Sequence, residues 1–202
     1  MSGFDENRVE AMKYVDTEWV MAVDADERVT PELASRIRAL IDSNKFDVIA
    51  FPVLTWVWGR FLTSLSHFDK KYAFRVNNGK FLPTMHNLYS FNPDSRKVNI
   101  ESACLLHYSH PSLHHTVNKT NRFTDFISRE YHENGKKFKK INLLTTMFRT
   151  LAYYLVKTRT YRDGVQGIFF AVNSAYTDML ALMKLYEIEK GTLEMYEKKI
   201  LE

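Results

Sequence analysis

The sequence predicts an α/β fold that gives way to a helical C-terminal region, and three observations carry that prediction. An apolar run, "WVMAV" at residues 19–23, leads into acids, then a helical stretch, then a second apolar run, "FDVIAFPVLTWVW" at 46–58. That strand–helix–strand order is an α/β unit. Beyond about residue 110 strand-like segments stop and three long stretches with helical spacing follow. The composition, 45% hydrophobic and 26% charged over 202 residues, is globular and large enough for a real core. The division expected from this change of character puts an α/β part in residues 1–110 and a helical region packed on it in 111–202.

Along the chain, residues 5–15 form a short helix with Val9, Met12 and Val15 near one face. Trp19 to Val23 is a short buried strand. Thr30-Pro31 starts the next helix, because Thr can accept from free N–H groups and Pro at the first position loses nothing. That helix runs to about Ser43 with Leu33, Ile37, Leu40 and Ile41 as its apolar stripe. Residues 46–58 form a second strand, bent or interrupted at Pro52. "YAFRVNNGKFLP" at 72–83 reads as two strands around a Gly-containing turn, and 98–110 as one more strand. Helices follow over 112–135, stopped at Gly135, then 141–158 and 164–190.

Several classes are disfavoured at this level. One cysteine, Cys104, permits no intrachain disulfide and fits a reducing compartment. No uncharged apolar run reaches the ~18 residues that span a bilayer, and "MSGFDENRVE" has no apolar signal core. A cytoplasmic protein is expected. The net charge of +4 is uneven, with acids in 5–32 and cations with aromatics in 119–162. Such a basic segment suits anionic lipid or nucleotide phosphates, although a solvated face explains most such runs. No nucleic-acid module is recognisable, so no nucleic-acid partner is expected.

The segment "WVMAVDADERVTPEL" at 19–33 carries the chemistry. Ligands in α/β sheets collect at the carboxyl ends of strands, where Asp24 and Asp26 sit. Two carboxylates one residue apart suit Mg²⁺ or Mn²⁺, which would hold a diphosphate and take up its charge. The same acids read equally well as loop and cap residues near a helix N-terminus.

"EWVMAVDADERVTPEL" resembles the metal-binding segment of the family 2 glycosyltransferases, nearest to the bacterial subgroup that builds lipopolysaccharide cores and surface glycans. "FDKKYAFRVNNGKF", "MHNLYSF", "LLHYSHPSLHHTVNKTNRFTDF" and "YYLVKTRTYRDGVQGIFFAVNSAYTDMLALMKLYE" extend the resemblance over most of 4–190. It implies a partial GT-A-like sheet, Rossmann-like and mixed. It also implies transfer of a sugar from a nucleotide-sugar donor to a glycan or lipid-linked acceptor of the cell envelope. Asp24 and Asp26 would bind Mg²⁺ or Mn²⁺ and the donor diphosphate, and Glu27 would line the same pocket. His86 would assist as metal ligand or acid–base group. The sequence departs from the pattern at Asn87, which stands where the family has Glu and cannot act as a base.

The resemblance also implies a longer chain whose first part supplies strands for the nucleotide base and ribose. A truncated or split enzyme is therefore expected, with a second chain as one source of those strands and weak donor binding by this chain alone. A non-catalytic remnant that binds a partner or the membrane surface is the alternative.

Other residues divide between function and packing. Arg75 fits an acceptor or phosphate contact, or a strand arginine paired with a surface acid. Trp58, with Trp56, fits a sugar platform or a half-buried strand. His107, His110, His114 and His115 have poor spacing for a transition metal. Arg162 and Asp163 are expected to fix the turn before the last helix, with Gly164 and Gly167 permitting tight packing. The aromatic and Met residues of the last helices read as core, or as a peripheral contact with the inner face of the cytoplasmic membrane flanked by Lys157, Arg159 and Arg162.

Overall fold

The computed structural model describes residues 4–66, 70–82 and 88–192. They form an α/β fold with a mixed sheet followed by a helical region. Two compact units make it up, 1–55 with 66–108 and 56–65 with 109–202. The second takes the end of one long strand and the hairpin after it together with the C-terminal helices.

In the first unit, α1 (Phe4–Ala11) and a 3-10 turn precede β1 (Trp19–Met21). β2 (Glu27–Val29) comes directly after the acids, and the sequence reading had no strand there. α2 (Pro31–Asp42) starts as its residues dictate: the Thr30 hydroxyl accepts from the Leu33 N–H and Pro31 stands at the first helical position. β3 (Val48–Val57) runs through Pro52 without a break, with Pro52 opposite Lys70. β4 (Arg60–Leu62) pairs with β3.

β5 (Lys70–Arg75) and β6 (Gly79–Phe81) do not pair with each other. β5 lies antiparallel between β1 and β3, and β6 pairs with β7 (Tyr89–Phe91) in a separate ribbon. The single strand expected over 98–110 divides into β8 (Lys97–Asn99), parallel to β3, and β9 (Leu105–His110), antiparallel to β2. The main order is β1-β5-β3-β9-β2.

β3 is buried on both faces, and the two-residue period of a strand sorts its neighbours. Ile49, Phe51 and Val53 pack on Leu33 and Ile37 of α2 with Ala73 and Leu105. Val48 packs on the other side with Phe74 and Phe81, against Val9, Met12, Tyr72, Tyr89 and Phe91. The sheet is thus covered by α2 on one face and by α1 with the β6–β7 ribbon on the other.

The second unit holds α3 (Leu113–Glu133), capped by Ser112, which accepts from His115 N–H. α4 (Lys140–Ala152) runs into a π-helical stretch, Tyr153–Lys157, and α5 (Gly164–Lys190) ends at Gly191, whose φ of 59° suits a glycine. Val57, Leu62 and Leu65 form the apolar centre beside Trp58, Tyr154, Phe169 and Phe170. Asp163, 1% exposed, accepts from the N–H and hydroxyl of both Thr63 and Ser64. Burial pushes its carboxyl up, and those four donors outweigh burial and hold it below the usual range. An added Cβ on Gly167 would lie 1.8 Å from the Thr160 carbonyl oxygen, so only glycine fits there.

Candidate active site around an acidic turn

Three residues after β1 the chain turns through Asp24-Ala25-Asp26-Glu27, and the turn is closed at both ends. The Glu27 N–H donates to the Asp24 carbonyl at 3.0 Å, and the Asp24 N–H donates to Glu27 Oε2 at 2.8 Å. Tyr108 N–H donates to the Asp26 carbonyl at 2.8 Å, so β9 fixes the turn from the other side. These bonds decide where each carboxylate goes.

Asp24 is held by two cations. Arg8, from the last turn of α1, reaches Oδ1 at 2.6 Å, and Lys71 of β5 reaches Oδ2 at 2.9 Å. Burial raises the Asp24 carboxyl, but the bonds from Arg8 and Lys71 outweigh it and keep the group below the usual carboxylate range. Lys71 also meets Glu27 Oε2 at 2.6 Å. Glu27 is 3% exposed, and its Oε1 is buried without a hydrogen-bond partner. Asp26 turns elsewhere: its side chain is 43% exposed and Oδ2 lies 3.3 Å from His107 Nε2. Tyr89 lies within the field of Arg8, Glu27, Asp24 and Tyr72, and burial pushes its phenol well above its ordinary value.

Of the residues singled out from sequence, the turn therefore collects Asp24, Asp26 and Glu27. Arg75 stands apart, tied to Glu18, Asp47 and Asn44 and lying 5.0 Å over the Trp19 ring. Trp58 packs edge-on against Phe169 in the second unit. His86 and Asn87 lie outside the described residues. His110 bonds Thr116 and His114 bonds Asn118. Among the described residues no three His, Cys, Asp or Glu side chains converge on a metal position.

Sequence reasoning missed Arg8 and Lys71, and weighed His107 only as one of four histidines for a transition metal. Lys71 shares a strand face with Ala73, which faces the α2 core. A lysine on the buried phase of a strand needs a carboxylate, and that was the available signal.

The donor chemistry at the turn fits a hard divalent cation. Mg²⁺ and Mn²⁺ take one or two carboxylates and complete their shell with water and substrate phosphates. Asp26 is open to solvent and can serve as such a ligand. Both Asp24 oxygens are engaged, Oδ1 by Arg8 and Oδ2 by Lys71.

Residues 2–101 match the model of glycosyl transferase family 2. A glycosyltransferase of Rickettsia typhi is 26% identical over 185 residues, covering 85% of this chain and 63% of its own length. Counterparts in Rickettsia conorii and Rickettsia prowazekii are 26% and 25% identical over 184 and 185 residues. The chain spans just under two thirds of the length of these relatives. Through residues 2–101, which contain the acidic turn and every residue that braces it except His107 and Tyr108, the chain belongs to glycosyltransferase family 2.

Proposed function

We propose that the chain works in metal-dependent transfer of a sugar from a nucleotide-sugar donor to a glycan or lipid-linked acceptor, in cytoplasmic assembly of cell-envelope polysaccharide or lipopolysaccharide. The observation that carries this reading is the acidic turn after β1, where Asp26 is left open to solvent while Asp24 and Glu27 are braced.

Each residue then has a task. Arg8 and Lys71 keep Asp24 ionised. Glu27, too buried to meet a substrate directly, positions Lys71 and the Asp24 main chain. Asp26 is the carboxylate that meets the cation, with His107 beside it. When bound, Mg²⁺ or Mn²⁺ supplies neutralising charge at the departing diphosphate. The acceptor proton is assigned to His86, on the resemblance stated above. β1 is one of the two end strands in the main order of the described sheet, paired with β5. A strand from a second chain adding to that edge is part of the proposal.

Paramagnetic broadening by Mn²⁺ tests the reading without requiring turnover. Amide resonances of Asp26, His107 and Tyr108 should broaden first, more so with UDP or GDP present, and Asp26→Ala should abolish the effect. Broadening unchanged in Asp26→Ala, or centred away from the turn, refutes it. Transfer from labelled UDP- or GDP-sugars to lipid-linked acceptors then identifies the substrates.

A further inference from the structure

Residues 134–177 contain eight lysines and arginines and a single acid, Asp163. That acid is 1% exposed and its oxygens accept from Thr63 and Ser64, so it is not presented at the surface. Within this stretch α4 has no fully buried residue. Ile141, Leu144 and Phe148 are 63%, 55% and 63% exposed, and their spacing of three and four places them on one helix face. Val156, in the π-helical turn that continues α4, is 73% exposed. Exposed cations bracket this face: Lys137, Lys139 and Lys140 before it, Arg149 beside it, and Lys157, Arg159 and Arg162 after it.

The α5 acids that meet this region, Asp178 and Glu189, accept from the Thr150 hydroxyl and the Phe138 N–H, and an apolar stripe flanked by exposed cations selects its partner. A second copy of the chain would set the same cations against one another. Thirteen residues of α4 extend about 20 Å, short of a bilayer core. We infer that α4 and the turn after it form a docking surface for an anionic lipid leaflet, with Ile141, Leu144, Phe148 and Val156 entering the acyl boundary and the flanking lysines and arginines meeting phosphate headgroups. This is the geometry of an interfacial amphipathic helix. Each cation near an anionic leaflet contributes about a fivefold gain in partition. The inference rests on exposure and charge, and stands or falls independently of sugar transfer.

Co-sedimentation of the full chain with vesicles tests it, comparing mixed phosphatidylglycerol–phosphatidylcholine with phosphatidylcholine alone. The chain should prefer the anionic vesicles by about tenfold or more and lose that preference as salt rises. Phe148→Ser should lower partition about tenfold, the transfer value of an exposed phenylalanine. Lys139→Gln with Lys140→Gln should do the same or more. All of these positions are exposed, so circular dichroism and thermal unfolding should stay at wild-type values. Equal binding to both vesicle types overturns the inference, as does wild-type partition of Phe148→Ser. So does sedimentation equilibrium showing a dimer that Phe148→Ser dissolves, since the stripe would then be covered by protein.

Discussion

Lys71→Met is the sharpest perturbation of the acidic turn. The ammonium stands 2.6 Å from Glu27 Oε2 and 2.9 Å from Asp24 Oδ2, and the Glu27, Lys71 and Asp24 side chains are 1%, 13% and 37% exposed. Breaking a buried pair from one side costs about 3–5 kcal/mol, because the surviving charge is stranded. The Asp24 contact is far more open and contributes under about 1 kcal/mol after solvent screening. Glu27 keeps one donor, the Asp24 N–H, which moderates the loss, so Lys71→Met should cost about 3 kcal/mol. The decisive comparison adds Glu27→Gln. A neutral amide beside a methionine strands no charge, so the double variant should be more stable than Lys71→Met alone by about 2 kcal/mol. Urea unfolding, followed by circular dichroism and fluorescence with m-values compared, measures both. A double variant no more stable than the single one would refute the claim that Lys71 compensates a buried carboxylate.

Other consequences are open to measurement. Asp163→Ala strands the backbone and hydroxyl donors of Thr63 and Ser64 in a buried site and should cost about 3 kcal/mol in urea unfolding. Gly167→Ala should cost at least about 2 kcal/mol, since its Cβ must displace the Thr160 backbone, whereas Gly135→Ala, with open space around it, should lose only what its φ of 71° imposes. Asp24 and Asp163 both have carboxyls held below their unfolded values, so the stability they supply is present above about pH 4 and is lost as pH falls through the folded values. Thermal unfolding should therefore be steady from neutral pH to about 4 and fall below it, with a shallower acid slope in Asp163→Asn.

What the sequence made legible was mostly local. Thr30-Pro31 announces α2 because capping involves residues three apart, and Gly135, with a φ of 71°, stops the chain's helical course two residues after the end of α3. Strand pairing was hidden. β2 has three residues, too few to show alternation, and exists because β9, nearly eighty positions later, pairs with it. β5 and β6 look like a hairpin in sequence, but each finds a better partner elsewhere, β5 between β1 and β3 and β6 on β7. The acids of the site were visible as a short run after an apolar strand, while the cations that hold them come from 16 and 47 positions away.

α5 shows why a flat apolar pattern misleads. Its aromatic and Met residues suggest a core stripe, yet the residues it buries are mostly small, Gly167, Ala171, Ala175 and Ala181, with Leu182 and Leu185. Small side chains let neighbouring backbones approach, which is how Gly167 comes against Thr160. The larger residues Val165, Ile168, Val172, Tyr176 and Met183 then fall on the opposite face and remain exposed. A helix apolar all round has no periodicity to read, and which face is core was decided by size rather than hydrophobicity. The same helix is therefore both a tight packing element and a carrier of unburied apolar surface. Phe148 on α4 and Val172 on α5 pose the same question of what covers them, and α4, where the cations lie close on either side, is the place where charge answers it.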